Sequence, residues 1–511
     1  MDKLMNIKDL TLEEKVGQML MFAFHGYDYS EQLDEQIKEL NVGGVILFAK
    51  NIDSNNLLVT KKLNEEIKKN AKYPILIGLD QEGGMVRRVM KNITPLPGAM
   101  TLSATGENIE DICFYEGCEL KELGFNMTFA PDSDVNNNPL NPVINSRSYS
   151  DDPMVVSNYV RQAVRGYRRA NIISTLKHFP GHGDTNVDSH LSLPTVTKDL
   201  KTLENLELLP FKEAIKNGEC DGIMAAHILY SQIDNTFPAT LSHKVIQELL
   251  REKMGYDGFI CTDSLTMGAI QENFTYEEIV LNSVNAGVDV LMFCGGAELK
   301  EQHEIYDTFL RLVKEGKIKE ETVDKAVSRI IKVKNEFLTK EAPKIDKQKA
   351  KTLSERLFDE SVTLAFNKMD VVVNEKEKVL ILFPEVKLLT LVDNETSEYK
   401  TLKTFMPEPD EIKYNRDLEN LENIAQISKN YDKIIMATMN VSRGDYQTKV
   451  FDVLDKKKTI VCSLRSPYDA LYLNGLENYI CSYEVGEDSL RALSRALRGE
   501  IKFKGKLPVK L

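Results

Sequence analysis

The chain has 511 residues, of which 42% are hydrophobic and 28% charged, and its formal net charge is −13. This length favours two domains, and the composition is that of a folded globular protein rather than a disordered or fibrous one. The negative charge argues against nucleic acid as a partner, because phosphate binding needs a positive surface.

No apolar run approaches the roughly 18–20 residues that cross a membrane, and the N-terminus lacks a signal-peptide pattern. The seven cysteines are odd in number, and several lie in apolar runs, which favours reduced thiols. We therefore expect a cytoplasmic protein with no membrane partner. A secreted form trimmed of its leader would have the same pattern.

Within residues 1–340, short apolar runs alternate with longer amphipathic stretches. Such runs are typical of parallel strands buried on both faces. Eight units of this kind favour an N-terminal (β/α)8 TIM-type barrel, with a doubly wound open sheet as the alternative. No GxGxxG follows any run, which argues against a dinucleotide site. The predicted strands are 18–24, 43–48, 75–79, 126–130, 172–177, 222–226, 258–261 and 288–293.

A second pattern of alternating strands and helices begins after a lysine-rich stretch that contains Pro343. We interpret residues 341–365 as a linker and 366–511 as a smaller α/β sandwich domain. Its predicted strands are 379–383, 433–439, 459–464 and 479–485.

Charged residues close several of the predicted barrel strands, whereas most structural strands end in Gly, Asn or Ser turns. The active site of such a barrel is built from loops at the carboxyl ends of its strands. Any single strand-end Asp is more often a turn or helix cap than a catalyst, so the number of these residues carries the inference. They are Asp80, Asp132, Asp134, Lys177, His178, His227 and Asp263.

The segment KHFPGHGDTNVDSH (177–190) holds three of the seven histidines of the chain. Its proline and glycines exclude a helix, so we expect a long loop. In an extended stretch Asp188 and His190 face the same side, where a carboxylate can orient an imidazole for general acid/base work. The alternative is a metal site in a metal-dependent hydrolase, although no regular HxH or HExxH spacing supports it. His182 is interpreted as structural.

Two further segments could act on a sugar. Asp263 follows a strand that would deliver its carboxylate to the barrel mouth, as the nucleophile of a retaining glycosidase requires. In the DQEGGMVRR segment, Asp80 can accept hydrogen bonds from sugar hydroxyls and Arg88 can donate to a sugar oxygen. A sugar-binding protein without catalysis would keep Asp80, Arg88 and Lys177 but would not need Asp263 together with the Asp188–His190 pair.

Together these segments resemble glycoside hydrolase family 3, in particular its two-domain β-N-acetylglucosaminidase branch. The KHFPGHGDTxxDSH pattern is highly specific, and DQEGG (80–84) is moderately so. The run Asn145-Ser146-Arg147-Ser148-Tyr149, the motif Thr262-Asp263-Ser264-Leu265 and the tail 496–500 also match. One departure is Asp132 in the run Pro131-Asp132-Ser133-Asp134, which makes a hydrogen-bonding role for Asp134 less secure.

The resemblance implies that Asp263 is the nucleophile and His190 the acid/base, oriented by Asp188. It implies a retaining exo-β-N-acetylglucosaminidase that needs no cofactor and no metal. The expected partner is a carbohydrate with a terminal N-acetylglucosamine, from peptidoglycan fragments or chitooligosaccharides, and the expected state is a monomer. The residues that would bind the terminal sugar are Asp80, Arg88, Arg147, Lys177 and His178.

Two alternatives of the same family remain open. One is a phosphorylase, in which phosphate replaces water in the second step, because an imidazole tolerates an incoming anion better than a carboxylate does. The other is a β-glucosidase or xylosidase, a branch that shares the Lys-His pair and the nucleophile but usually takes its acid/base from a carboxylate elsewhere. A substrate-assisted mechanism would instead use an adjacent Asp-Glu pair. The two such pairs, at 359–360 and 410–411, lie away from the predicted barrel mouth.

Overall fold

The computed structural model describes residues 4–185, 193–295, 298–385 and 400–511. Eight short parallel strands form its first sheet, in the order β7-β6-β5-β4-β3-β2-β1-β8. The strands are β1 (Leu20–Phe22), β2 (Gly44–Ile46), β3 (Leu76–Leu79), β4 (Met127–Thr128), β5 (Ile173–Phe179), β6 (Gly222–Ala225), β7 (Phe259–Thr262) and β8 (Leu291–Phe293).

A parallel bridge between Cys261 and Val290 joins the two ends of this sheet. The backbone N–H of Thr262 donates to the Val290 carbonyl at 3.1 Å, and that of Leu265 donates to Met292 at 2.8 Å. These contacts close the sheet into a barrel, so the predicted (β/α)8 fold is confirmed. All eight predicted strands are present; most are shorter than predicted, whereas β5 and β7 extend one or two residues further at their carboxyl ends.

Helices surround the barrel and connect its strands. Their apolar faces pack with the strands into one large core, which excludes water from the strand backbones. The helices are Leu12–Gln18, Glu31–Lys38, Leu57–Asn70, Ala99–Thr105, Glu110–Glu122, Pro153–Arg169, Leu200–Asn205, Leu209–Lys216, the π-helix Lys244–Lys253, Gly268–Gln271, Tyr276–Ala286, Leu299–Lys314 and Glu320–Phe337.

The second sheet has six strands in the order β9-β14-β13-β12-β10-β11, and only the edge pair β9–β14 is antiparallel. Along β10, Val379, Ile381 and Phe383 enter one apolar core, while Leu380 and Leu382 enter another. Alternate side chains thus fill a core on each face of the sheet, which confirms the α/β sandwich. The strands are β9 (Thr363–Phe366), β10 (Val379–Pro384), β11 (Asp410–Tyr414), β12 (Lys433–Thr438), β13 (Thr459–Ser463) and β14 (Tyr479–Cys481), with helices Leu421–Ile427, Tyr446–Asp452 and Glu487–Leu497.

The predicted linker at 341–365 contains a helix, Lys347–Ser361. Its Leu357 is buried in the barrel core and its Phe358 in a core of the second sheet. The helix therefore packs on both units, and the domain boundaries themselves stay predictions. Across the described ranges, no helix has the length and apolar character needed to cross a membrane.

Asp289 fastens the strand that leads to Asp263. Its buried carboxylate accepts from Arg251 at 2.7 Å and from the backbone N–H of Ile260 in β7 at 2.8 Å. Arg329 contacts the other oxygen of Asp289 at 3.3 Å and also pairs with Asp257, whose side chain is 79% exposed.

We expect Asp289→Asn to lower the free energy of unfolding by about 3 kcal/mol, because Arg251 keeps a buried charge without its counter-ion. Asp257→Asn removes the exposed carboxylate that pairs with Arg329. We expect this variant to lose less than about 1 kcal/mol in free energy of unfolding. Urea titrations of both variants make the comparison. Equal small losses would contradict the role given to Asp289.

Candidate active site

One cavity of about 450 Å³ opens at the carboxyl ends of the barrel strands. Its polar side chains come from several strand ends: Asp80 follows β3, Lys177 and His178 lie in β5, and Asp263 follows β7. The predicted site residues that the structure describes all line this cavity; they are Asp80, Arg88, Arg147, Lys177, His178 and Asp263. The predicted Asp188 and His190 lie outside the described residues.

Lys177 is the centre of a chain of alternating charges. Its ammonium, in a side chain 3% exposed, lies 2.9 Å from an oxygen of Asp80 and 2.6 Å from an oxygen of Glu82. Arg147 binds both oxygens of Glu82, at 2.9 and 2.8 Å, and Arg88 lies 3.4 Å from Asp80. The bidentate geometry fixes the guanidinium plane of Arg147 at the cavity wall.

The ionisation of this chain follows from its pairing. Burial alone would raise the pKa of Asp80, but the charges of Lys177 and Arg88 outweigh it and lower that pKa. Burial likewise opposes ionisation of Glu82, and Arg147 and Lys177 reverse the effect, so the pKa of Glu82 is lowered. Burial tends to lower the pKa of Lys177, yet Asp80 and Glu82 raise it. All these groups therefore stay charged at neutral pH.

Asp134 holds the second part of the site. One of its oxygens lies 2.7 Å from Nδ1 of His178, and the other accepts from the backbone N–H groups of His178 and His182, at 3.2 and 2.5 Å. The charge of His178 helps lower the pKa of Asp134 against the opposing effect of burial. Because a carboxylate only accepts, His178 donates its Nδ1–H to Asp134.

His182 packs behind His178, with ring centroids 5.6 Å apart. Its Nδ1 lies 2.8 Å from the hydroxyl of Thr185, and its carbonyl accepts from the Asn141 amide at 2.8 Å. Burial, together with the neighbouring His178, lowers the pKa of His182 to about 4, so this ring is neutral at neutral pH. These contacts support the interpretation of His182 as structural.

Asp132 is buried next to Asp134, and the two pKa values are shifted in opposite directions. It accepts one hydrogen bond, from the backbone N–H of Asp134 at 2.9 Å, and its other oxygen lies 3.8 Å from Arg147. Burial and the negative charge of Asp134 raise the pKa of Asp132 well above its usual range. Asp132, Asp134 and His178 are close enough to hold a cation. A cation there would have to replace the hydrogen bond between His178 and Asp134.

The sequence pattern does not single out Glu82 as a site residue. Glu82 belongs to the DQEGG segment but closes no predicted strand, so strand ends do not identify it. The available signal is Lys177: a lysine buried in a strand needs more counter-charge than Asp80 alone provides. Asp134 was recognised as a strand-end residue, and the structure shows that it binds His178. His227 does not line the cavity: its ring joins the hydroxyl of Thr240 and the carbonyl of Ser264, both at 2.8 Å.

Similarity to known proteins identifies the family of this chain. Residues 11–333 match the model of the glycosyl hydrolase family 3 N-terminal domain. The chain belongs to glycosyl hydrolase family 3, so the predicted glycoside hydrolase is confirmed.

Three relatives illustrate the similarity. Beta-hexosaminidase A of Pseudoalteromonas piscicida is 34% identical over 368 residues, which cover 64% of this chain and 62% of the relative. Beta-hexosaminidase of Tolumonas auensis is 34% identical over 279 residues, which cover 54% of this chain and 82% of the relative. The structure of a family 3 beta-N-acetylglucosaminidase from Paenibacillus sp. FPU-7 superimposes with a TM-score of 0.91 at 34% identity, covering 98% of this chain and 99% of the other. The first alignment thus spans less than two thirds of the Pseudoalteromonas protein.

The charge chain makes a prediction about stability and pH. We expect Glu82→Gln to lower the free energy of unfolding at pH 7 by about 3 kcal/mol, because Arg147 and Lys177 keep buried charges with less compensation. The pKa of Glu82 is lowered in the folded protein. Its stabilisation is therefore complete above the ordinary carboxyl pKa of about 4.3 and is lost as the pH falls through the folded value.

Between about pH 5 and pH 3, wild-type protein should therefore lose more stability than Glu82→Gln. Urea midpoints measured across this window test the expectation. Glu277→Gln is the control, because Glu277 pairs with Arg311 and Lys317 on the exposed surface. A Glu82→Gln curve parallel to wild type would contradict the account.

Proposed function

We propose that this protein is a retaining exo-β-N-acetylglucosaminidase. The observation that carries the proposal is the shared cavity: the carboxylate of Asp263 faces the same space as the hydrogen-bonding groups of Asp80, Arg147, Lys177 and His178. Its volume of about 450 Å³ suits one terminal monosaccharide with part of its aglycone. The names of the relatives, beta-hexosaminidase and beta-N-acetylglucosaminidase, support an N-acetylated sugar.

The proposed reaction has two displacement steps. In the first, an oxygen of Asp263 bonds to the anomeric carbon, the glycosidic bond breaks, and His190 gives its proton to the leaving oxygen. In the second, His190 takes a proton from water, whose oxygen replaces Asp263 at the anomeric carbon. Two inversions release the sugar with its β configuration retained. Asp188 would hold the His190 ring and stabilise its charged form.

The remaining residues bind the sugar ring. Carboxylates accept from hydroxyls, so we assign Asp80 to a pair of neighbouring hydroxyls. Lys177 and Arg88 would donate to the sugar oxygens, and Nε2 of His178 would form a hydrogen bond with a hydroxyl. Arg147 would donate from a guanidinium that Glu82 holds in place. Because these donors are already fixed, little ordering is needed when the sugar binds.

Peptidoglycan fragments and chitooligosaccharides are the proposed substrates, and the cytoplasm the proposed compartment. None of the seven cysteines forms a disulfide and six are buried, which suits a reducing environment.

The central test removes the nucleophile. We expect Asp263→Asn to lower kcat on a chromogenic β-N-acetylglucosaminide by roughly 10³-fold or more, and Asp188→Asn to lower it by roughly 10²–10⁴-fold. Ser264→Ala, next to the nucleophile in the chain, is the matched control for local disturbance. An Asp263→Asn variant with near-wild-type activity would reject the assignment.

Further measurements separate the alternatives. Preference for the matching β-glucoside would indicate the glucosidase branch, and release of sugar 1-phosphate on addition of phosphate would indicate a phosphorylase. A 2-fluoro sugar that labels Asp263 would support the covalent intermediate over a substrate-assisted reaction. Loss of activity on chelation would point to the metal-dependent alternative.

A further inference from the structure

Glu484 lies in the second unit, after β14, yet its carboxylate binds the barrel. The residue is 2% exposed, and its Oε1 accepts from the backbone N–H of Gly98 at 3.0 Å and from the hydroxyl of Thr101 at 2.7 Å. Gly98 precedes the barrel helix Ala99–Thr105 and has no side chain that could cap it. The second unit therefore supplies a carboxylate that accepts from the backbone N–H of the N-cap residue, as the N3 glutamate does in a capping box.

The same carboxylate lies against the turn that follows Glu82. Gly84 in this turn has φ +55°, and a Cβ on it would lie 2.8 Å from the Cα of Gly98 and 3.4 Å from Oε2 of Glu484. No side chain fits there, so the turn and the helix start pack backbone to backbone. Within the described residues, Oε2 makes no hydrogen bond. Burial raises the pKa of Glu484, with the charge of Arg87 opposing it.

Apolar contacts join the same barrel segment to the second unit. Met100 and Ala104 are fully buried in one core of the second sheet, and Met85 packs against the other core. Residues 81–105 are thus attached to the second unit at several points. This segment also carries Glu82 and Arg88 of the candidate site. Its two strands are joined by the Gln81 side chain, which accepts from the backbone N–H of Arg88 at 2.8 Å.

We infer that Glu484 is a positioning residue, through which the second unit holds the turn carrying Asp80, Glu82 and Arg88 in its sugar-binding geometry. The inference rests on the proposed function for its kinetic consequence. It does not place Glu484 in contact with the sugar. The second unit would thus contribute to sugar binding indirectly, because none of its described residues lines the cavity.

The test compares Glu484→Ala with Glu484→Gln. We expect Glu484→Ala to raise KM for a chromogenic β-N-acetylglucosaminide by roughly 10-fold to 100-fold, with a smaller change in kcat, because the binding turn shifts while Asp263 stays in place. Glu484→Gln should stay within about threefold of wild type, since its amide oxygen accepts the same two hydrogen bonds. Glu487→Gln, an exposed glutamate three residues further on, is the control.

Hydrogen exchange gives a readout that does not need activity. Amides of residues 81–105 should exchange faster in Glu484→Ala than in wild type, while those of β5 and β7 should not change. If wild-type protein cleaves no N-acetylglucosaminide, the proposed function fails and the exchange experiment still decides the inference. If Glu484→Ala does not fold, Thr101→Val removes one of the two hydrogen bonds and should change KM and exchange in the same direction. Unchanged KM and unchanged exchange in a folded variant would overturn the inference.

Discussion

The ammonium of Lys177 is almost fully removed from water and needs counter-charges on more than one side. Asp80 and Glu82 provide them at 2.9 and 2.6 Å, from a segment nearly one hundred residues earlier in the chain. A single charge buried without partners costs several kcal/mol, so the strand end of β5 and the DQEGG turn can be stable only together. The closed barrel is what brings them together, because β3 and β5 flank β4.

The charge pairs around Lys177 also fix the position of a neighbouring loop. Glu82 also binds Arg147, which lies on the loop after β4, and that loop contacts the second unit through the Asn145 amide and the Ser466 hydroxyl at 3.1 Å. Groups that bind a neutral polyhydroxylated ligand must be oriented before it arrives, since each hydrogen bond to a sugar has only a small net value. Charge pairing beneath the cavity provides that orientation. The second unit supports the outer sides of the same loops.

Much of this architecture could be predicted because burial leaves a simple pattern. All eight barrel strands are buried on both faces, and a short, mainly apolar run predicts each of them. The strands Thr363–Phe366 and Asp410–Tyr414 were missed because they lie at sheet edges and carry exposed residues. The helix Lys347–Ser361 falls within the predicted linker, because it has few apolar residues among its lysines and glutamates and buries only a narrow face. Strand ends located the cavity residues for the same physical reason that barrels place their sites there.

Pairing across the barrel left no such pattern in the sequence. Glu82 and Asp134 act through partners distant in the chain, and Glu484 acts from a different unit, so periodicity could not reveal them. Asp132 and Asp134 show this most clearly, because they are the same residue type and their pKa values are shifted in opposite directions. Two backbone N–H groups and the ring of His178 bind the Asp134 carboxylate and keep it ionised.

Asp132 accepts from a single backbone N–H, and its pKa is raised by burial and by the charge of Asp134. One carboxyl is therefore committed to orienting His178, and burial and the neighbouring charge disfavour ionisation of the other. Neither is left as a nucleophile for the sugar. In the proposed reaction that task falls to Asp263, which reaches the cavity from β7 and lies outside this pair.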